Sequence, residues 1–120
     1  MQGRIESVTA EDHYFRALDH FAAGELDSAI GEYKQAIALD PKFTDAMHGL
    51  IRAQQDSGLL DDAIAAAQQL ALQDPEDILA HTSLSILYQK KGMVPEAEAE
   101  ANKARVLGWK QQLKESKGSS

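Results

Sequence analysis

The chain has 120 residues, 43% of them hydrophobic and none of them cysteine, which leaves room for one domain whose core holds neither a disulfide nor a thiolate metal site. Its formal charge of −7 argues against general nucleic-acid binding, which needs a basic footprint to neutralise phosphates. No stretch approaches the roughly 18 apolar residues of a spanning helix, and the opening MQGRIESVTAEDHYF has no apolar run behind a basic segment, so neither a membrane partner nor a signal peptide is read, and the cytoplasm is the expected compartment.

Taken in chain order, residues 1–9 form an N-terminal extension. Thr9, with Asp12 three residues on, resembles a capping arrangement for a first helix over 10–23. A GELDSAI turn then leads into a second helix over 27–39, which stops at Asp40 because the residue before Pro41 is pushed out of the α region. The pattern repeats: a helix over 44–57, the turn GLLDDAI, a helix over 61–73, and Asp74-Pro75. It repeats again with a helix over 78–91, the turn GMVPEAE, and a helix over 95–107 that carries Pro95 in its first turn. Beyond Gly108, WKQQLKES with Trp109 and Leu113 four apart reads as a separate capping helix, with KGSS frayed; the alternative is that the last helix runs on through Gly108.

These phrases share one period. Gly24, Gly58 and Gly92 lie 34 residues apart, and the same offset relates Ala29, Ala63 and Ala97, Ala46 and Ala80, and Pro41 and Pro75. The units are 10–43, 44–77 and 78–108, followed by 109–120. Each glycine belongs just past a helix end, where the turn demands positive φ. Each alanine lets the two helices of a hairpin approach closely, and a larger residue there overpacks by roughly 1–3 kcal/mol. Ile30, Tyr33, Ala36 and Ile37, then Ile64, Ala67, Leu70 and Ala71, follow helical spacing and read as core.

The 34-residue helix-turn-helix unit resembles the tetratricopeptide repeat over about residues 10–109, most closely in GELDSAIGEYKQAIALDP. First helices diverge: the family's Trp slot holds His13, Met47 and His81, its Leu-Gly pair Arg16-Ala17, Leu50-Ile51 and Leu84-Ser85, and its Tyr slot His20, Gln54 and Tyr88. The resemblance implies an all-α, right-handed α-α superhelix of three repeats whose first helices line a concave groove. By the same likeness the groove rows are Tyr14, His48 and Thr82; Phe15, Gly49 and Ser83; Leu18, Arg52 and Ile86; and Phe21, Gln55 and Gln89. Tyr14, Phe15, Leu18 and Phe21 make one end aromatic, as an interaction site or as the first repeat's core. Gly49 and Ser83 leave a shallow floor for a partner's side chain. Arg52 pairs with a ligand carboxylate or, ahead of that, internally with Asp45, Glu11 or Asp56. Chaperone-binding members of the family hold a C-terminal carboxylate with Lys, Asn and Arg side chains. The matching places here are Tyr14, Leu18, Gly49, Leu79 and Ser83, so that ligand type is not expected.

His13 and His20 share a helix face near Glu11 and Asp12, but His13, His20 and His81 occupy packing slots, where hydrogen-bonded histidines are the rule. There is no Ser/His/Asp spacing, phosphate loop or cysteine nucleophile, so no catalytic, cofactor-binding or metal-binding residue is expected. Residues 1–77 hold 15 acidic against 5 basic side chains, and residues 78–120 hold 4 against 7. The expected function is a non-enzymatic protein–protein interaction module that takes a peptide or helix in the groove. The alternative is a self-associating structural protein, a homo-oligomer joined through its end repeats. The plain style of so short an array resembles bacterial members.

Overall fold

In the computed structural model, which describes residues 8–118, the repeat's period is set by its turns. Six helices form: α1 (Ala10–Ala22), α2 (Leu26–Leu39), α3 (Thr44–Asp56), α4 (Leu60–Gln73), α5 (Ile78–Lys90) and α6 (Val94–Gly118), with no strand among the described residues. The first five ends fall within a residue of the expected ones. Gly24, Gly58 and Gly92 adopt φ of 79°, 78° and 77°, and no other described residue has positive φ. At Gly24 and Gly92 the turn closes in the same way. Glu25 N–H donates to His20 O and Met93 N–H to Tyr88 O, each at 2.8 Å, while each glycine N–H donates three residues back, so the last carbonyls of α1 and α5 find donors.

The other turns use aspartate before proline. Asp40 and Asp74 take extended backbone, as a following proline requires, and their Oδ1 atoms accept from Lys42 N–H at 3.1 Å and Glu76 N–H at 3.2 Å. At the start of α1 the capping box is complete: Thr9 Oγ1 accepts from Asp12 N–H and Asp12 Oδ2 from Thr9 N–H. The Thr9 backbone N–H holds the Asp12 carboxyl below its ordinary range.

The chain divides into two compact units, the first ending at Gly58 and the second beginning at Leu59, so the boundary falls between the two helices of the middle repeat. In the first unit α2 packs on both α1 and α3 around buried Ala17, Ala29, Ile30, Tyr33 and Ala36. In the second, α5 packs on both α4 and α6 around Ala63, Leu70, Leu84, Leu87 and Ala97. Burying a side chain such as Leu87, which is 0% exposed, contributes about 2 kcal/mol. Gln68 donating to Tyr88 Oη at 2.9 Å and the Lys91–Asp61 ion pair tie α4 to the α5 end.

The separate capping helix expected from Trp109 is not formed: α6 is continuous from Val94 through Gly108 to Gly118. Trp109 occupies the place that Pro41 and Pro75 hold in the earlier repeats. It carries an N–H and lacks the proline ring that clashes with the preceding turn, so nothing stops the helix there. One glycine inside a helix costs about 1 kcal/mol relative to alanine, which the following lysines, glutamines and leucine tolerate. Lys117 and Gly118, expected to fray, are helical, while Ser119, Ser120 and most of the N-terminal extension, residues 1–7, lie outside the described residues. Part of the capping role falls to exposed Glu98 and Arg105, which stand on α6 where Ile30 and Ile37 stand on α2.

Candidate functional site

The residues expected to line a groove fall on one face of each first helix, and the two units carry them separately. In the first unit, Phe15 is 58% exposed and Leu18 39% exposed, with Glu11 and Asp19 one helical turn before and after Phe15. Tyr14 is half-buried in an aromatic cluster. Its ring centroid lies 5.0 Å from Phe43, 5.7 Å from Phe15 and 6.1 Å from Tyr33. Phe21 is half-buried as well. The two alternatives for this end are thus divided by residue: Tyr14 belongs to the packing between α1, α2 and the start of α3, whereas Phe15 and Leu18 face solvent.

On α3, His48, Arg52 and Gln55 share a face at helical spacing. Arg52 takes the internal partner: its Nε–H lies 3.2 Å from both Asp56 oxygens, one turn along the helix. The shallow floor expected at Gly49 is absent. A Cβ there would run into Cε1, Cζ and Oη of Tyr33, so the ring from α2 already fills the space that glycine leaves. Burial pushes the Tyr33 hydroxyl above its ordinary pKa, and Tyr14 adds to the effect.

In the second unit, Leu79, Thr82, Ser83, Ile86 and Gln89 share a face of α5, with Leu79, Ile86 and Gln89 exposed. Thr82 Oγ1 donates to Ile78 O at 3.0 Å, which commits its proton to the helix. Sequence reasoning missed a cleft of about 520 Å³ in this unit, lined by Ala71, Pro75, His81, Lys103, Val106 and Lys110. The alternation of Lys103, Val106 and Lys110 at helical spacing was its only sequence signal.

His13, His20 and His81 are engaged with glutamates. His13 Nδ1 lies 2.6 Å from Glu32 Oε1, His20 Nδ1 2.7 Å from Glu25 Oε1, and His81 Nδ1 2.7 Å from Glu100 Oε1. His81 Nε2 also faces Pro75 O at 3.3 Å. The His13 and His81 pairs are one interaction made twice, since both span 19 residues and they join the first and second helix of the first and third repeats. Sequence reasoning did not find Glu32 and Glu100, although the shared offset was visible. Burial pushes the Glu100 carboxyl up, but hydrogen bonds from His81 and Lys103 outweigh it and hold the pKa below the ordinary value. Among the described residues no three His, Asp or Glu side chains form a group able to hold a metal ion, and no helix is long and apolar enough to cross a membrane.

Comparison with known proteins agrees with the turn geometry. The sequence model of the tetratricopeptide repeat matches residues 20–87. No curated protein matches significantly. Among solved structures, a MamA crystal structure is 29% identical with a TM-score of 0.85 and matches 89% of this chain, which spans 63% of the MamA chain. The type III secretion chaperone SycD of Yersinia enterocolitica, solved with a peptide of the translocator YopD, is 25% identical with a TM-score of 0.79, over 88% of this chain and 80% of its own. PcrH of Pseudomonas aeruginosa, at 23% identity and a TM-score of 0.79 over 87% of this chain and 79% of its own, shares the fold.

Proposed function

Because this chain belongs to the tetratricopeptide-repeat family, we propose that it is a non-enzymatic adaptor that holds a peptide or amphipathic helix against the exposed face of its first helices. The observation that carries this is the exposure of Phe15 and Leu18 on α1: neighbouring apolar side chains left in water beside a packed aromatic cluster. Such pairs serve as anchors in helix-in-groove recognition, with the surrounding polar residues setting orientation. The fold likeness to SycD, which was solved holding a peptide, supports the same use. Engagement of His13, His20 and His81 by carboxylates supports a scaffolding role for those rings over a catalytic one. The side chains at Tyr14, Leu18, Gly49, Leu79 and Ser83 favour an apolar or helical ligand over a free C-terminal carboxylate. A cytoplasmic location fits the cysteine-free composition, and a bacterial source fits the Pseudomonas and Yersinia neighbours.

The test is affinity capture with the full chain as bait, beside Phe15→Ala and Leu18→Asp baits whose folding is checked by circular dichroism. A partner held by the parent and lost from both variants is expected. A partner held equally by all three removes the binding face from α1.

A further inference from the structure

In the distal half of α6 every residue from Trp109 to Gly118 is exposed, while Val106 and Lys110 border the cleft described above and Lys114 Nζ lies 3.9 Å from Glu76 Oε1. Val106, Trp109 and Leu113 are 45%, 59% and 64% exposed and recur at spacings of three and four, so they form one apolar ridge. Lys103, Lys110, Lys114 and Lys117 follow the same spacing beside it. Residues 101–118 hold five basic side chains and a single acidic one, Glu115. A basic amphipathic helix of this kind suits an acidic, partly apolar surface.

Such a surface occurs on this chain. On α1, exposed Phe15 and Leu18 are bracketed by Glu11 and Asp19. We infer that the distal half of α6 in one copy docks on the α1 face of a second copy, with Val106, Trp109 and Leu113 against Phe15 and Leu18 and the lysines beside Glu11 and Asp19. This rests on the binding face proposed above and names its occupant as the chain itself. Charge decides among occupants: the chain carries −7 overall, so an anionic lipid surface attracts the ridge and repels the rest, whereas a second copy presents its acidic face selectively. The contact is heterologous, since each copy offers a ridge and a face, so association continues past two copies unless a ring closes. One helix against one helical face lies below the standard interface size, so the affinity is micromolar or weaker and falls with salt.

The experiment is sedimentation of the full chain from about 1 µM to about 500 µM, at about 0.02 M and about 0.5 M salt, with Trp109 emission followed in parallel. Mass should rise above 13.1 kDa with concentration at low salt and return towards it at high salt, with Trp109 emission shifting to the blue on association. Trp109→Asp with Leu113→Asp should be monomeric, as should Phe15→Asp with Leu18→Asp. Mixing these two double variants should restore a complex that stops at two copies, because only one intact ridge and one intact face remain. If either double variant loses helicity, Asp19→Lys and Lys110→Glu replace them: each weakens association alone, and a mixture recovers it. A monomer under every condition overturns the inference, as does association that both variants leave unchanged, or a mixture that fails to pair. A Trp109 shift seen only with anionic vesicles also overturns it and assigns the ridge to lipid. If the chain is monomeric while Leu18→Asp still loses a captured partner, the self-docking falls and the adaptor function stands.

Discussion

Gly49→Ala tests whether the α2–α3 contact is set by the pairing of one ring with one missing side chain. Two effects oppose each other. Alanine is favoured over glycine inside a helix by about 1 kcal/mol. Against that, the new Cβ meets three Tyr33 atoms at separations that real Cβ atoms do not show, and forcing extra volume into a packed core costs typically 1–3 kcal/mol. Tyr33 is 2% exposed, with the tilted Tyr14 ring 6.1 Å away, so its ring has no open space to swing into. The net expectation is destabilisation by about 1 kcal/mol, or roughly 4 °C in melting temperature. A double-mutant cycle makes the test decisive. Tyr33→Ala alone should cost about 3–5 kcal/mol through the cavity it leaves. In that background Gly49→Ala should cease to cost anything and return about 1 kcal/mol, giving a coupling of about 1–3 kcal/mol between the two sites. Urea unfolding followed by far-ultraviolet circular dichroism measures all four corners. Additive changes, or a Gly49→Ala protein more stable than the parent, would refute the steric account.

Gly92→Ala should cost about 1–2 kcal/mol, since the site is spatially open but held at φ +77°, whereas Gly31→Ala, inside α2 with nothing within 4 Å, should gain about 1 kcal/mol; thermal melts should place the two on opposite sides of the parent. Glu100, whose folded pKa lies below its ordinary 4.5, contributes stability that is complete above that value and is lost as pH falls through the folded pKa. Acid unfolding of Glu100→Gln should therefore show a flatter loss below pH 4.5 than the parent, and equal slopes would remove the His81–Glu100 pair from the acid response. Truncation after Gly108 removes helix whose side chains are all exposed, so the circular dichroism signal should shrink while the melting temperature stays within about 2 °C; a larger fall would mean that the distal half of α6 supports the core.

Much of this architecture was legible because it rests on local chemistry. A glycine at each turn, an alanine five residues later and an aspartate before proline are decided by backbone sterics, and the helix ends they imply lie within a residue of those observed. The end of α6 was less legible because an absent stop signal is ambiguous: losing the proline at position 109 permits continuation, whereas the adjacent Gly108 suggests a break. At the proposed binding face, the family likeness named the rows of residues on α1 and α3, and helical spacing puts each row on one side of its helix. Neither could tell that Tyr14 turns towards Phe43 while Phe15 remains in water, or that the hollow at Gly49 is occupied, because those outcomes depend on the neighbouring helix. Repeats help here when compared with one another. His13 and His81 each have a glutamate 19 residues on, and a pair conserved in spacing across two units marks a contact before any coordinates are known.

The Tyr33 ring over Gly49 has a further consequence for how the chain finds its fold. A sequence that writes one unit three times invites mispairing, because a second helix can dock on the first helix of the wrong unit at little local cost. Thirty-four residues along, the corresponding positions are Ala67 and Ser83, with the bulk reversed. Docking α2 on α5 would drive the tyrosine into the serine, and setting Ala67 over Gly49 in place of Tyr33 would leave a void over the glycine. The size reversal thus acts as a register key that distinguishes near-identical hairpins, and levelling it with Tyr33→Ala and Gly49→Ser together should leave each helix intact while making shifted or domain-swapped pairings accessible.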